Sequence, residues 1–335
     1  MKSAVWYGGR DIRVEDTPLP PLTGDQVRIK VEACGVCGTD VHIIHGAFPL
    51  YQPPTVIGHE YTGVVAEVGP DVKVTKVGDR VTVDPSGFTC DVCYHCRLGQ
   101  YHLCDDRAVF RGAYAEYTTV PEKVVHKLPD EVSFEIGTLT EPVSCAVHAT
   151  RLANVQTGSN ALIYGAGTIG LILLQVLIHS GITKVIVSEP IAERRELALQ
   201  LGADVAIDPT KENLAEAVRD FTNGIGIDYA FEAVGKPPLV SDAARHARRG
   251  GKVIIIGVSS PGEMTEVEPY DIYFKELAIL GSHIRLYDFP RALAWLPKLN
   301  LAPIITHQFP LAQTLEAIET TEKGMGLKVL VKPQL

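Results

Sequence analysis

From residue 26 the chain alternates. In QVRIKVEA, Val27, Ile29 and Val31 are apolar while Arg28, Lys30 and Glu32 are polar, and a period of two places the apolar set on one face of a half-buried strand. YTGVVAEVG and AYAEYTTV continue the style, with turn signals such as Gly69-Pro70 and Gly78-Asp79 between them. The first 150 residues therefore read as mainly antiparallel β structure. From about residue 155 the rhythm changes to short apolar runs separated by amphipathic helical stretches, the order of a parallel sheet covered by helices. Six strands are predicted: ALIY (161–164), KVIVS (184–188), DVAI (204–207), DYAFEA (228–233), KVIIIG (252–257) and LAILGS (277–282). Among the intervening helices, AERRELALQLG repeats Leu197, Ala198 and Leu201 at helical spacing, and Gly202 closes it. Six strands in this order fit a doubly wound α/β nucleotide-binding fold. LKVLVKP near the end reads as one more strand, returning to the first domain because the parallel sheet already has its six. The predicted division is a β domain of residues 1–150 and 285–335 and a dinucleotide-binding domain of residues 151–284.

Eighteen residues without a charge, ALIYGAGTIGLILLQVLI, reach the lower limit for a membrane span. Their three spaced glycines predict instead a buried strand, a tight turn and a buried helix. A balance of 31 basic against 40 acidic residues, net -9, argues against nucleic acid or an anionic membrane as the main partner. The local exception, Arg245, Arg248 and Arg249 in ARHARRGGK, reads as the C-terminal turn of a helix ending at Gly250, where cations complement the helix dipole. The opening MKSAVWYGGRDIRVED carries no export pattern, so a reducing cytoplasm is expected. At 335 residues the chain can bury two cores without disulfide staples. Clustered cysteines in that compartment are more often thiolate metal ligands.

The glycines fall where a dinucleotide needs them. Gly165, Gly167 and Gly170 follow a strand and open a helix, with Thr168 and Ile169 between the last two. The first permits the sharp turn, the second lets a pyrophosphate approach the backbone, and the third lets helix and strand pack closely. A glycine turn without ligand is the plain alternative. Glu189 then ends the second strand, nineteen residues after Gly170, where a carboxylate binds ribose hydroxyls and repels a 2′-phosphate. NAD is preferred over NADP on that ground. Arg194 and Arg195 pull the other way, because a guanidinium there accepts a 2′-phosphate, unless they form a solvated helix face.

Two groups of metal-ligating residues stand out. Cys37 in ACGVCGTDVHI, His59 and Glu60 in VIGHEYTG and Glu141 in LTEPVSCAVHA supply a thiolate, an imidazole and two carboxylates. Such a set suits a catalytic zinc, which takes three protein ligands and keeps a position open. Cys90, Cys93, Cys96 and Cys104 are spaced C-x2-C-x2-C-x7-C, so one loop can wrap four thiolates around a tetrahedral ion. Four sulfurs close the coordination shell, which makes that site structural. Two disulfides are the competing reading, and the spacing and Cys-Pro of a ferredoxin cluster are absent. Cys34 and Cys145 read as buried small apolar groups.

GVCGTDVH, GHE, GDRV, the cysteine run, EPVSCAVHA and GAGTIG occur in the order found in zinc-containing medium-chain alcohol dehydrogenases, and the chain most resembles their polyol, sorbitol-dehydrogenase-like branch. The resemblance covers essentially the whole chain. It implies a GroES-like catalytic domain, a Rossmann domain inserted before the C-terminal return, and a cleft between them. It implies that Cys37 and His59 are zinc ligands, with either Glu60 or Glu141 as the third, and that Asp40 orients the histidine. It implies one catalytic and one structural zinc per subunit, hydride transfer from a carbinol carbon to NAD, and a proton path through Thr39, the cofactor ribose and His42. Homodimers and homotetramers are both common in the group.

The chain also departs from the family. Only eight residues, Asp105 to Gly112, separate Cys104 from AYAEY, where relatives carry a longer segment that often lines the substrate pocket. GSHIRLY stands where sorbitol-type enzymes have G-x-F-R-Y, so their arginine-tyrosine pair does not carry over. His283, Arg285 and Phe48 are the candidate substrate residues. The expected activity is oxidation of a polyol or secondary alcohol. L-threonine 3-dehydrogenase is the alternative enzyme, for which no carboxylate-binding cation is evident in the sequence. A nicotinamide-binding structural protein is the non-enzyme alternative, set against the zinc ligands that the chain retains.

Overall fold

The structure, a computed structural model, describes residues 1–46, 51–285 and 287–335. The chain divides into two compact units, Met1–Glu141 with Phe289–Leu335 and Pro142–Asp288. The divisions fall nine residues before position 150 and four after position 284, and the helix Thr140–Ala153 runs across the first of them.

The first unit opens with β1 (Lys2–Gly8), β2 (Asp11–Asp16), β3 (Gln26–Val36), β4 (Thr55–Val56), β5 (Glu60–Val68), β6 (Arg80–Val83), β7 (Tyr117–Pro121) and β8 (Val125–Lys127). The second unit contributes β9 (Asn160–Tyr164), β10 (Lys184–Ser188), β11 (Val205–Ile207), β12 (Ile227–Glu232), β13 (Ala247–Ile255) and β14 (Ala278–Gly281). The chain then returns to the first unit through β15 (Ile305–Pro310) and β16 (Lys328–Lys332).

In the first unit β1 lies between β2 and β4, and a larger sheet runs β15-β16-β3-β5-β6-β8, with β7 also pairing β3. All of its pairings are antiparallel except β15 with β16. The return strand thus joins this sheet beside β3, Val331 opposite Cys34. Val27, Ile29 and Val31 are fully buried in a core with Tyr61, Val65, Val81, Val329 and Val331. Arg28, on the other face of β3, is buried as well, because its guanidinium pairs with Glu67 at 2.6 Å and donates to the Pro20 carbonyl.

The second unit is a six-stranded parallel sheet in the order β11-β10-β9-β12-β13-β14. Renumbered from its first strand this is 3-2-1-4-5-6, the doubly wound order, whose crevice lies beyond the carboxyl ends of the strands where the order reverses. The uncharged run forms β9 and the helix Thr168–His179, buried from Gly170 to Leu177. Among the described residues no helix is long and apolar enough to cross a membrane.

One helix end departs from the sequence reading. The helix Pro237–His246 stops four residues before Gly250, and Arg248 and Arg249 lie on β13. Strand pairing wins over helix extension there: Ala247 pairs with Ile227, and Arg248 Nε donates to Asp228 at 2.6 Å.

Candidate functional site

The first group is built where β3 and β5 meet. Their antiparallel register sets Gly35 opposite Glu60. β3 then runs into the short helix Gly38–Ile44, whose N-cap is Cys37, and the Cys37 amide donates to Asp40 Oδ2 at 3.0 Å. Ahead of β5, Gly58 has φ +91°, and a Cβ there would lie 2.9 Å from the Tyr114 ring and 3.0 Å from Cys34 Sγ. Only glycine takes that turn without strain, so the residue before His59 is set by backbone geometry. The result places one ligand atom each of Cys37, His59 and Glu60 within 4.8 Å of one another. A thiolate, an imidazole and a carboxylate so gathered are the donor set of a zinc site with a free position, and the residues fit that ion.

The surroundings support these three side chains. Asp40 is fully buried; its Oδ2 also accepts from the Tyr114 hydroxyl at 2.8 Å. Its Oδ1 has no hydrogen-bond partner among the described residues and faces His59 Nδ1 at 3.8 Å. A histidine bound to metal through one nitrogen needs an acceptor for the other N–H, and Asp40 Oδ1 lies on the Nδ1 side of the ring. Burial alone would lower the His59 pKa, but the Cys37 hydrogen bond and the charges of Asp40, Cys37 and Glu141 raise it to about 10. The imidazole thus has three anionic groups around it, surroundings that favour a bound cation. Behind Glu60, the Lys328 ammonium pairs with Oε2 at 2.5 Å and donates to the Val36 carbonyl at 3.1 Å. Both partners are buried. Burial opposes a charged Lys328, yet the charges of Glu60 and Cys37 prevail and its pKa is raised.

The remaining candidates divide. Glu141 lies in the first turn of the helix Thr140–Ala153 and its charge acts on His59, Glu60 and Lys328, so it belongs to the same electrostatic site, outside the group of three. Thr39 Oγ1 is 3.5 Å from Cys37 Sγ. His42 sits half-buried in the last turn of the helix that Cys37 caps. Phe48 lies outside the described residues. His283 is exposed and Arg285 buried, both in the second unit. Cys34 is fully buried, with its thiol pushed well up by burial, whereas Cys145 is only half-buried.

The second group is the cysteine lobe. The four sulfurs of Cys90, Cys93, Cys96 and Cys104 also lie within 4.8 Å of one another. Sγ separations of 3.5 Å (Cys90–Cys104) and 3.9 Å (Cys90–Cys96) are too long for a disulfide and all four thiols are free. A tetrahedral ion with bonds of about 2.3 Å would set its sulfurs about 3.8 Å apart, so the lobe has the dimensions of a four-thiolate zinc site. Backbone amides of Cys90, Cys93 and Cys96 point at neighbouring sulfurs at 3.3–3.5 Å. Hydrogen bonds from the Asp105 and Cys96 amides bring the Cys93 thiol down to about 6, while burial and the neighbouring sulfurs push Cys96 up to about 12, so Cys93 is the thiolate formed first.

In the second unit Gly165 follows β9 with φ +93°, and a Cβ on Gly170 would lie 1.9 Å from the Gly165 carbonyl oxygen. Gly167, by contrast, has nothing within 4 Å of where its Cβ would sit. The first and third glycines therefore make the turn, and the second leaves room over the N-terminus of the helix that Thr168 and Ile169 open, where free amides attract phosphate. Glu189, directly after β10, is buried and accepts from the Ala166 amide at 2.7 Å and the Ile191 amide at 3.0 Å. Each oxygen keeps a second lone pair for a ribose hydroxyl. Arg195 is tied to the Glu189 carbonyl at 2.8 Å and to Asp208 at 3.4 Å, which offsets its charge. Arg194 is half-buried on the same helix.

Two contributors were not singled out from the sequence: Lys328 and Tyr114. Lys328 carried a faint signal as the lysine that opens a strand whose middle, Val329 to Val331, is apolar.

The family model for an alcohol dehydrogenase GroES-like domain matches residues 23–130, and that for a zinc-binding dehydrogenase matches residues 168–298. Similar curated proteins include a D-arabitol-phosphate dehydrogenase of Enterococcus avium, 36% identical across 95% of this chain and 92% of the relative. A sorbitol dehydrogenase of Bacillus subtilis is 34% identical across 99% and 97%. An L-threonine 3-dehydrogenase of Pyrococcus horikoshii is 39% identical across 98% and 97%. Among solved structures, a zinc-binding dehydrogenase of Sinorhizobium meliloti bound to NADP superposes with a TM-score of 0.95 at 34% identity, covering 99% of both chains. An alcohol dehydrogenase of Escherichia coli complexed with NADH gives 0.91 at 32% identity, again covering 99% of both.

Proposed function

The chain belongs to the zinc-containing medium-chain alcohol dehydrogenase family, polyol branch, and we propose that it oxidises a polyol or related secondary alcohol with NAD, using Cys37, His59 and a carboxylate to hold the catalytic zinc. Its activity is that of a zinc-dependent oxidoreductase acting on CH–OH groups. The observation that carries the site assignment is the cluster of half-buried Cys37 with buried His59 and Glu60, three donors of three kinds within 4.8 Å.

Bound there, zinc would supply the Lewis acidity that lowers the pKa of a substrate hydroxyl, and a dinucleotide held over the glycine turn would supply the hydride acceptor. The protein supplies the rest. Asp40 faces His59 Nδ1 and accepts from the Cys37 amide, which sets the position of the thiolate. Lys328 neutralises Glu60 on the side away from Oε1, leaving that oxygen for metal or water, while Glu141 stands by as the alternative carboxylate. The Thr39 hydroxyl, beside Cys37 Sγ, receives the substrate proton and passes it toward His42 and solvent. Four sulfurs leave the metal of the cysteine lobe no open position, so that lobe braces the fold.

NAD is the proposed cofactor because Glu189 lies against the glycine turn and Arg195 is already paired with Asp208. L-threonine is the second substrate reading, favoured by the 39% identity to threonine dehydrogenases. A small molecule as partner, a homodimer or homotetramer as assembly and a cytoplasmic location complete the proposal. The exposed Tyr270, Tyr273 and Phe274, near the edge strand β14, are apolar surface of the kind that assembly covers. A panel of polyols, simple secondary alcohols and L-threonine, each with NAD and NADP, tests the reading. Hydride transfer to NAD from a polyol supports it; turnover confined to threonine, or a strong NADP preference, overturns the substrate or the cofactor part.

A further inference from the structure

The short segment that follows the cysteine lobe places cations beside the catalytic cluster. Gly112 and Ala113 donate their amides to the Gly58 carbonyl at 3.1 and 3.3 Å, immediately before His59. Tyr114, next in line, bonds Asp40. These contacts fix the backbone of Arg111 against the turn that delivers a zinc ligand. Its guanidinium lies over the Tyr51 ring, 3.5 Å from the centroid, and has no hydrogen bond or ion pair among the described residues. Arg107, four residues earlier, is half-buried and donates to the His102 carbonyl at 2.7 Å. Tyr51 ties these groups to the cluster: its hydroxyl feels the charges of Arg111, Asp40, Cys37 and Arg107. A half-buried arginine without an anionic partner is uncommon, because desolvating a guanidinium costs free energy that a counter-ion normally offsets. Stacking on Tyr51 holds its planar fork in place, as two-point recognition of an oxyanion requires.

We propose that Arg111 is a specificity-determining residue that binds an anionic group of the substrate, a phosphate or carboxylate a few bonds from the reacting carbinol. The inference rests on the zinc dehydrogenase reading and narrows its substrate class from neutral polyols to alcohols bearing an oxyanion. Tyr51 positions Arg111 without touching the anion, and the shortness of Asp105–Gly112 brings the cation to the site.

Matched substrates test it on the metal-loaded enzyme with NAD: a pentitol phosphate against the same pentitol, and L-threonine against L-threoninamide. One anionic member is expected to exceed its neutral partner at least about tenfold in kcat/KM, equivalent to about 1.4 kcal/mol. Which pair shows the difference identifies phosphate or carboxylate. Arg111→Met should bring that ratio toward one by raising KM of the anionic substrate, since an interaction made equally in ground and transition states is lost. Arg111→Lys, retaining the charge, should recover part of it, and added salt should weaken the wild-type preference. Calorimetric titration with inorganic phosphate gives a readout independent of turnover, with binding expected in the wild type and weakened in Arg111→Met. Neutral partners used as well as anionic ones, or an unchanged ratio in Arg111→Met with an unshifted melting temperature, overturn the inference and leave the dehydrogenase reading standing. Absence of turnover on every CH–OH compound, with phosphate binding intact and dependent on Arg111, strikes the dehydrogenase reading and supports the anion site.

Discussion

A lysine buried behind a candidate metal ligand looks costly until its partners are counted. Lys328 and Glu60 are 3% and 2% exposed, and the ammonium has the carboxylate and the Val36 carbonyl as acceptors. Removing one member of a buried pair leaves an uncompensated charge and typically costs about 3–5 kcal/mol. Lys328→Met should therefore destabilise the metal-free protein by about 3 kcal/mol, read as a lower midpoint in urea. Loaded with zinc the loss should shrink, because the ion compensates Glu60 in the lysine's place; an equal loss in both states would show that Lys328 acts only by packing. Cys37, His59, Glu60 and Glu141 were legible in the sequence because their side-chain types are chemically loaded. Lys328 was not, since lysine is an ordinary surface residue and only the strand register of β16 against β3 carries it inside.

Among the elements, the glycine turn separates fold from function within six residues. A Cβ at Gly170 would collide with the Gly165 carbonyl, whereas one at Gly167 meets nothing, and the Gly167 backbone, φ -75° and ψ -175°, suits any residue. Gly167→Ala should keep the wild-type melting temperature and lose affinity for the dinucleotide about tenfold or more, measured by fluorescence titration with NADH. Unchanged affinity would mean that no pyrophosphate passes over this turn. The six parallel strands were readable because β-branched runs and helical spacings alternate without ambiguity. The end of the helix Pro237–His246 was not, because the arginines after it satisfy a helix terminus and a strand start equally well. Only the pairing of β13 with β12 decides between them.

Across the molecule, the return strand and scattered clasps hold the first unit together. Glu122 shows how a loop is tied: its carboxylate accepts the amides of Lys73, Val74 and Thr75 at 2.7–2.9 Å. Burial would raise its pKa, but those three donors dominate and lower it from 4.5 to about 2. A carboxyl whose pKa falls on folding stabilises the protein fully above its unfolded value and loses that contribution as pH drops through the folded one. The melting temperature of Glu122→Gln should thus fall below that of the wild type at neutral pH, with the gap narrowing between pH 4.5 and about 2. A gap that does not change over this window would assign the effect to something other than the carboxylate. The cysteine run, the most conspicuous feature of the sequence, has a closed shell of four sulfurs, while the sparser residues around Cys37 have the donor set for chemistry. The measurement that tests this division most directly is zinc content together with NAD-dependent turnover of Cys37→Ser. One zinc per chain and no turnover are expected; full turnover with a single zinc retained would contradict it.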